Sequence, residues 1–329
     1  MANLITDDDI DWALYERQTE AQQQVKSAKL YVQQIIDRAR SPRSEKHVFM
    51  PWGKTHQLIQ FRPGEVTLWG GESGHGKSLV TGQVGLSLCA QGEKVCIASF
   101  EMKPVKTLER MGRQWTKFRV NDPEVLGDSV QFERLMDLYE QFRDWTDGKL
   151  WLYDRQGTVK WQNVCTVIRY CAKELGITQM FIDSLMKCVM GEDDYNGQKA
   201  FVDELCAIAR DTGIHIHLVL HVKKPATEGK KPSKYDMKGT GAITDQPDNV
   251  IGVWRDKAKE RDRRANKMVS STQPDQVLII DKQRNGEGWE GMIGLWFHQQ
   301  SNQFVVGQDA APMDFYTAPR SEQFEGGEF

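Results

Sequence analysis

The chain has 329 residues, of which 39% are hydrophobic and 27% charged, and its formal net charge is −3. This composition is typical of a soluble globular protein, and any nucleic-acid binding must come from local basic patches that the average conceals. The longest apolar runs are far shorter than the roughly 18 residues that a membrane helix needs. The first residues are acidic and do not have the pattern of a secretion signal. We therefore expect a cytoplasmic protein without a membrane segment, located in the host cytoplasm if the chain is viral.

The six cysteines are scattered in apolar stretches without a CxxC pair, at positions 89, 96, 165, 171, 188 and 206. Buried free thiols are the usual interpretation of this pattern. It argues against a zinc-ribbon module.

Residues 1–45 are predicted to form an N-terminal helical arm, because apolar residues recur at mixed helical spacing over 7–40. So polar a helix needs a partner, either the main domain or a neighbouring subunit. A solvated extension is the alternative.

Residues 46–307 alternate between apolar strand candidates and helix-length stretches. The helices include 159–175 and 196–212, and the strands are 64–69, 94–99, 150–154, 179–185, 214–220, 249–254 and 277–281. This alternation predicts one α/β domain with a mostly parallel, twisted sheet and helices on both faces. A hairpin around "QQSNQ" adds an antiparallel edge, and residues 308–329 are expected to be an acidic flexible tail.

A phosphate-binding loop follows the first of the domain's strands. The stretch "GGESGHGKS" fits G-x-x-x-x-G-K-[ST] through Gly71, Gly74, Gly76, Lys77 and Ser78. Backbone N–H groups of such a loop wrap phosphates, the lysine reaches the β/γ-phosphates, and the serine hydroxyl lies on Mg²⁺. We therefore predict that the chain binds ATP, or another nucleoside triphosphate, with Mg²⁺. His75 is expected to be a tolerated filler of the loop rather than a catalytic group.

Two carboxylates at strand ends are the expected companions of this loop. Asp183 ends the strand "QMFID" and is predicted to serve the Mg²⁺ shell, while Glu101 follows the strand "KVCIAS" and is a candidate general base for the attacking water. The alternative for Glu101 is an acidic residue near the N-terminus of a helix.

Residues 222–238 form a basic loop with six lysines against Glu228 and Asp236. Prolines and a glycine indicate a loop. Lysines of this kind contact phosphates without reading sequence, in a salt-sensitive way.

Several stretches occur together in a fixed order: "GGESGHGKS", "IASFEM", "FIDSL", "VLHVKKP", "KGTGAITDQPDNVIGVWR" and "DKQRNGEG". Over roughly residues 50–307 this order resembles the RecA-like motor domain of the DnaB-family replicative helicases, in the style of phage helicases, primase–helicases and Twinkle. The resemblance implies a RecA-like P-loop NTPase, an ATP-hydrolysing DNA helicase. It also implies a hexameric ring with ATP sites at subunit interfaces, which moves 5′ to 3′ on single-stranded DNA at the replication fork.

The resemblance also implies roles for individual residues. His221 matches the position that senses the γ-phosphate, and Arg284, with Lys282 beside it, matches the arginine finger given to the neighbouring subunit's ATP. The central-channel loop that grips DNA corresponds to the basic loop and the glycine after it: Lys223, Lys224, Lys230, Lys231, Lys234, Lys238 and Gly239.

The chain departs from the family at both ends. Neither the helical N-terminal domain of bacterial relatives nor a primase fits in residues 1–45, and the tail "EQFEGGEF" resembles segments that dock a polymerase, primase or single-strand-binding partner. Two other functions remain open. One is a RecA- or RadA-like recombinase, and the other is a nucleotide-switched assembly protein.

Overall fold

The structure is a computed structural model that describes residues 27–40, 48–191, 193–222, 229, 231–236 and 241–316. The chain divides into two compact units, Met1–His47 and Val48–Phe329. Within the described residues, the helices are too short or too polar to cross a membrane.

The first unit contributes helix α1 (Ala28–Arg40) to the described residues. The sequence predicted a helix over 7–40; the described part of that range is helical from residue 28, and residues 7–26 lie outside the described residues. Its larger apolar side chains are exposed, namely Leu30, Tyr31, Val32, Ile35 and Ile36. These five side chains therefore leave much of their apolar surface exposed, and burial of such a surface is what usually stabilises a helix.

The second unit is built on strands whose bounds follow the apolar runs of the sequence. They are β1 (Val48–Phe49), β2 (Gln60–Phe61), β3 (Val66–Gly71), β4 (Val95–Ser99), β5 (Leu150–Leu152), β6 (Gln179–Asp183), β7 (His215–His221), β8 (Asn249–Arg255), β9 (Gln276–Gln283), β10 (Gly291–His298) and β11 (Gln303–Val305). Strands β1 and β2 form a small antiparallel pair. The described remainder forms one sheet in the order β11-β10-β9-β8-β3-β7-β6-β4-β5.

The six strands from β8 to β5 in this order are parallel to one another. Strands β9, β10 and β11 continue the sheet with antiparallel pairing, and β10 and β11 form the predicted hairpin. The α/β class and the mostly parallel sheet are therefore confirmed.

Helices cover both faces of the sheet. They are α2 (Lys77–Ala90), α3 (Pro104–Thr116), α4 (Pro123–Leu126), α5 (Ser129–Thr146), α6 (Trp161–Glu174), α7 (Tyr195–Thr212), α8 (Gly241–Asp245) and α9 (Lys257–Arg264). One core cluster joins α6 and α7 to one face through residues such as Ile168 and Leu205. A second joins α2, α3 and α5 to the other through Val84, Met111 and Phe142. Burial on both faces explains the continuous apolar strands.

The six cysteines are free and buried, as predicted. Burial raises the pKa of the Cys89 thiol to about 12, so this group stays protonated near neutral pH.

The C-terminal boundary differs from the sequence prediction, which began a flexible tail at residue 308. Phe315 is 1% exposed and belongs to the second core cluster. The Gln303 side chain exchanges two hydrogen bonds with the backbone of Met313, and the ring of Tyr316 lies 4.4 Å from that of Trp115. Residues up to 316 therefore pack on the domain, because their aromatic side chains find an apolar partner that sequence periodicity does not show. Residues 317–329 lie outside the described residues.

Candidate nucleotide-binding and hydrolysis site

The phosphate loop joins β3 to α2 in the conformation that its glycines permit. Gly74 and Gly76 have φ values of 78° and 82°, which favour glycine. A Cβ on Gly71 would lie 2.5 Å from the carbonyl oxygen of Val253 on β8, so a side chain does not fit there. These glycines allow the loop to pack against the sheet. The loop then leads into the N-terminus of α2 beside the cleft that the loop lines.

Parallel pairing brings the predicted side chains to one edge of the sheet. Gly71 pairs with His221, and Asp183 pairs with Ser99 and with Val219. The carboxyl ends of β3, β7, β6 and β4 therefore coincide, which is where ligands bind in parallel α/β sheets.

Lys77, His221 and Glu101 form a connected chain of polar groups at this edge. Lys77 Nζ lies 3.3 Å from His221 Nδ1, and His221 Nε2 lies 3.5 Å from Glu101 Oε1. Because an ammonium group can only donate, Nδ1 is the acceptor, and a neutral imidazole then carries its proton on Nε2, facing Glu101. The Ser184 hydroxyl donates to the same Glu101 oxygen at 3.0 Å. His221 thus connects the phosphate-loop lysine to the candidate base.

Local contacts set the charge of each group. Hydrogen bonding from His221, assisted by Ser184, lowers the pKa of Glu101 to about 2, although partial burial opposes the shift. Burial lowers the pKa of Lys77, and the carboxylates of Asp183 and Glu101 oppose that shift. Lys77 also donates to the carbonyl oxygens of Gly71 (2.7 Å) and Glu72 (3.0 Å).

Ser78 and Asp183 form the candidate Mg²⁺ site. The Ser78 hydroxyl donates to Asp183 Oδ2 at 2.5 Å. Burial raises the pKa of Asp183, and the Ser78 hydrogen bond opposes the shift. One hydroxyl and one carboxylate are hard oxygen donors that fit Mg²⁺, which usually takes its other ligands from phosphates and water. A buried carboxylate of this kind gains from a nearby cation.

The open cleft above the phosphate loop contains residues that sequence reasoning missed. Its volume is about 530 Å³, and besides the residues above it is lined by Arg255, Phe297 and Asn302. The Arg255 guanidinium lies 5.1 Å from the centre of the Phe297 ring, a cation–π arrangement. Arg255 ends the strand "NVIGVWR", a position at which the strand-end argument could have found it. Phe297 reaches the cleft only through the antiparallel pairing of β10.

His75 is a buried anchor of the loop rather than a filler. Its Nδ1 accepts a hydrogen bond from the backbone N–H of Arg255 at 3.1 Å. Burial, with the nearby cation Lys257 and others, lowers the pKa of His75 to about 4, so the ring is neutral at physiological pH. It therefore ties the phosphate loop to the end of β8.

Lys282 and Arg284 lie at the opposite edge of the sheet. Strand β9 is antiparallel to β8, and the backbone N–H of Arg284 donates to the carbonyl of Asp248, just before β8 begins. Arg255, which ends β8, lines the nucleotide cleft. Seven residues of strand span roughly 20 Å. The structure therefore does not bring the two cations to the cleft of their own chain.

Lys231 and Lys234 are the predicted DNA-binding residues within the described residues; Lys223, Lys224, Lys230, Lys238 and Gly239 lie outside them. Lys231 Nζ lies 3.5 Å from Met292 Sδ and 5.6 Å from the centre of the Trp254 ring. Lys234 Nζ donates to the carbonyl of Asp281 at 3.4 Å. These contacts place residues 231–236 beside strands β8 to β10.

Comparison with known proteins agrees with this geometry. A curated relative, a DNA helicase/primase of Enterobacteria phage T3, is 23% identical over 213 residues, which cover 62% of this chain and 37% of that protein. A solved ATPase domain superposes with a TM-score of 0.69 at 15% identity, covering 85% of this chain and 99% of that one. The structure of a DnaB-like replicative helicase, described with its interactions with primase, gives a TM-score of 0.67 at 15% identity and covers 85% and 67%.

The structural likenesses show the RecA-like fold, and the chain spans about a third of the curated relative's length. Residues 56–306, most of the second unit, match the family described as "DnaB-like helicase C terminal domain". This match agrees with the phosphate loop and with the contacts that connect Lys77, His221 and Glu101. The protein chain therefore belongs to the DnaB-like helicase C-terminal domain family.

Proposed function

We propose that this chain is the motor of an ATP-driven DNA helicase, which hydrolyses ATP in the cleft above the phosphate loop and moves along single-stranded DNA. The observation that carries the proposal is the connected set Lys77–His221–Glu101 beside Ser78 and Asp183. A protein that only binds nucleotide needs the loop, but it does not need a carboxylate held by a histidine at that distance.

The phosphate loop and Lys77 would hold the triphosphate. On binding, Lys77 exchanges its present acceptors, the carbonyls of Gly71 and Glu72, for phosphate oxygens. Ser78 and Asp183 would hold Mg²⁺, which supplies positive charge against the β- and γ-phosphates. The nucleobase would lie toward Arg255 and Phe297, which offer a flat aromatic face and a cation at the cleft wall.

Glu101 would position the attacking water. A carboxylate with a pKa of about 2 stays ionised at neutral pH, but it is a weak base. Its main contribution is therefore to accept a hydrogen bond from the water and to orient it toward the γ-phosphorus. The Nε2–H of His221 would hold the Glu101 carboxylate in place. Because Nδ1 of the same ring contacts Lys77, a movement of Lys77 on loss of the γ-phosphate would change the position of His221.

Arg284 and Lys282 would complete the cleft of a neighbouring copy. Both are remote from their own cleft, and the Arg284 side chain is about half exposed. A guanidinium supplied across an interface stabilises charge on the transferring phosphoryl group. Activity would then require a homo-oligomer, and we propose a hexameric ring.

Substitution of Glu101 by Gln should leave ATP binding within about threefold and lower turnover at least about a hundredfold, because an amide no longer accepts as a full carboxylate does. Nucleotide affinity and steady-state hydrolysis measure the two effects. Glu133→Gln, an exposed position on α5, is the matched control. Retained turnover in Glu101→Gln would exclude the assigned role.

The arm is proposed to pack on an adjacent subunit. Helix α1 carries apolar side chains that are exposed in this structure, and burial of such a stripe stabilises a helix.

Deletion of residues 1–45 should therefore reduce the oligomer to smaller species, as measured by light scattering or native mass spectrometry. The thermal melting of the second unit is the control for folding. An oligomer of unchanged mass would contradict the role of the arm.

The basic loop is proposed to hold the DNA strand. It begins directly after His221, so the group that contacts both Lys77 and Glu101 is covalently continuous with the DNA-facing segment. Loss of the γ-phosphate could thereby move the loop and the bound strand.

Replacement of Lys230, Lys231 and Lys234 by Ala should weaken the binding of single-stranded DNA. It should also reduce the log–log slope of affinity against salt concentration by up to about 2, because each phosphate contact contributes about 0.7. Fluorescence anisotropy at several salt concentrations measures both. The control removes three exposed lysines on other elements, Lys160, Lys173 and Lys199. An unchanged slope in the loop variant would place the DNA elsewhere.

Strand separation on forked duplexes with one free arm, in ATP and Mg²⁺, tests the proposed function itself. We expect unwinding that needs a free 5′ arm. DNA-stimulated hydrolysis with strand pairing and no unwinding would favour a recombinase. Stable nucleotide-dependent assembly without DNA-stimulated hydrolysis would favour a switch.

A further inference from the structure

The two cations at the end of β9 are held by defined acceptors at the end of α8. Lys282 Nζ donates to the carbonyl oxygens of Thr244 (3.0 Å) and Asp245 (2.6 Å), and Arg284 Nη2 donates to that of Asp245 (2.8 Å). The last carbonyls of a helix have no partner within the helix and are available to such donors. The pair is therefore oriented before any neighbouring copy arrives.

Asp248 is a second acceptor and the link to the centre of the sheet. Its Oδ1 lies 3.5 Å from Arg284 Nη1, and its carbonyl accepts from the Arg284 N–H at 2.8 Å. Its Oδ2 accepts from the N–H of Val66 at 3.0 Å, and its own N–H donates to the Val66 carbonyl at 2.9 Å. Val66 is fully buried and begins β3, the strand that ends in the phosphate loop. Asp248 thus links Arg284 to a fully buried residue of a strand inside the sheet.

This arrangement suits a residue that must act on something outside its own chain. An arginine side chain has many rotamers, and prior orientation reduces the conformational entropy that is lost when the guanidinium makes its contact. The Asp248 carboxyl is 16% exposed, whereas the Arg284 side chain is 47% exposed. The anchor is therefore largely inside the domain, and part of the guanidinium side chain stays accessible.

We propose that Asp248, with the carbonyl end of α8, is the positioning residue for Arg284, holding its guanidinium at the angle required by a nucleotide bound to a neighbouring subunit. The inference rests on the proposed function, in which Arg284 acts across the interface. Asp248 touches no nucleotide itself.

A purely structural role for Asp248 makes a different prediction. If the residue only secured the start of β3, its loss would affect the stability of the chain and the nucleotide cleft of the same chain. If it positions Arg284, its loss damages the cleft of the neighbour and leaves its own cleft intact.

Asp248→Asn separates the two roles, because the amide oxygen can still accept from Val66 while the charge facing Arg284 is lost. We expect kcat for ATP hydrolysis, measured with Mg²⁺ and an oligothymidine strand, to fall about ten- to a hundredfold, the scale of a small misplacement. KM should stay within about twofold and the melting temperature within a few degrees. Asp137→Asn, the same change at an exposed position on α5, is the control.

Mixed oligomers give the deciding measurement. Asp248→Asn chains, with an intact phosphate loop, are combined with Lys77→Ala chains, which lack that lysine but keep the Asp248–Arg284 pair. Hydrolysis above the sum of the two separate preparations is expected, because the second chain lends its arginine to the cleft of the first. Arg284→Ala combined with Lys77→Ala is the reference.

The outcomes distinguish the inference from the function beneath it. If the reference mixture shows no gain, Arg284 does not act across the interface, and the inference falls with that part of the proposed function. If hydrolysis exceeds the sum of the separate preparations in the reference mixture but not in the Asp248→Asn mixture, the positioning role alone is overturned. Should Asp248→Asn fold poorly, Asp248→Glu is the second variant, because it keeps the charge and displaces it by one methylene. It must show a lower kcat by itself and a gain in hydrolysis when mixed with Lys77→Ala chains.

Discussion

The register of the parallel strands is the constraint on which the nucleotide site depends. Gly71 faces His221 across β3 and β7, and Ser99 faces Asp183 across β4 and β6. These pairings set the distances from Lys77 through His221 to Glu101 at a scale of 3 to 3.5 Å. A shift by one residue would turn each side chain to the other face of the sheet and separate the groups. Buried apolar rows on both faces hold that register.

The same sheet makes the site of one copy incomplete under the proposed mechanism. Parallel strands gather their carboxyl ends at one edge, whereas the antiparallel strand β9 delivers Lys282 and Arg284 to the other. A strand length separates the two sets, so no rotamer change joins them within one chain. The proposed ring would place the edge with Lys282 and Arg284 in one copy against the nucleotide cleft of the next. Oligomerisation would then be part of the chemistry, and ATP hydrolysis would be coupled between neighbours by construction.

Local patterns in the sequence were enough to predict most of the fold and those site residues that belong to the phosphate loop or follow a strand. Apolar runs predicted the strands, and glycine spacing with a following lysine predicted the loop from Gly71 to Ser78. Asp183 and Glu101 followed from the rule that ligands gather at strand ends. Arg255 beside Phe297, and Asp248 beside Arg284, were not predictable in this way, because each pair depends on which strands are neighbours. The packing of Phe315 was missed for the same reason.

Under the proposed mechanism, control of turnover would depend on the position of Glu101 more than on its basicity. Hydrogen bonding from His221 keeps Glu101 ionised and lowers its strength as a base, so proton transfer to it would add little to the rate. The orientation of the attacking water would contribute far more, because misplacement of reacting groups by about 1 Å can lower a rate on the order of a hundredfold. His221 sits where such a displacement can arise, between the buried strand β7 and the basic loop that the sequence places next. A weakly basic carboxylate whose position depends on His221 would suit a motor that hydrolyses ATP only when its DNA strand is bound.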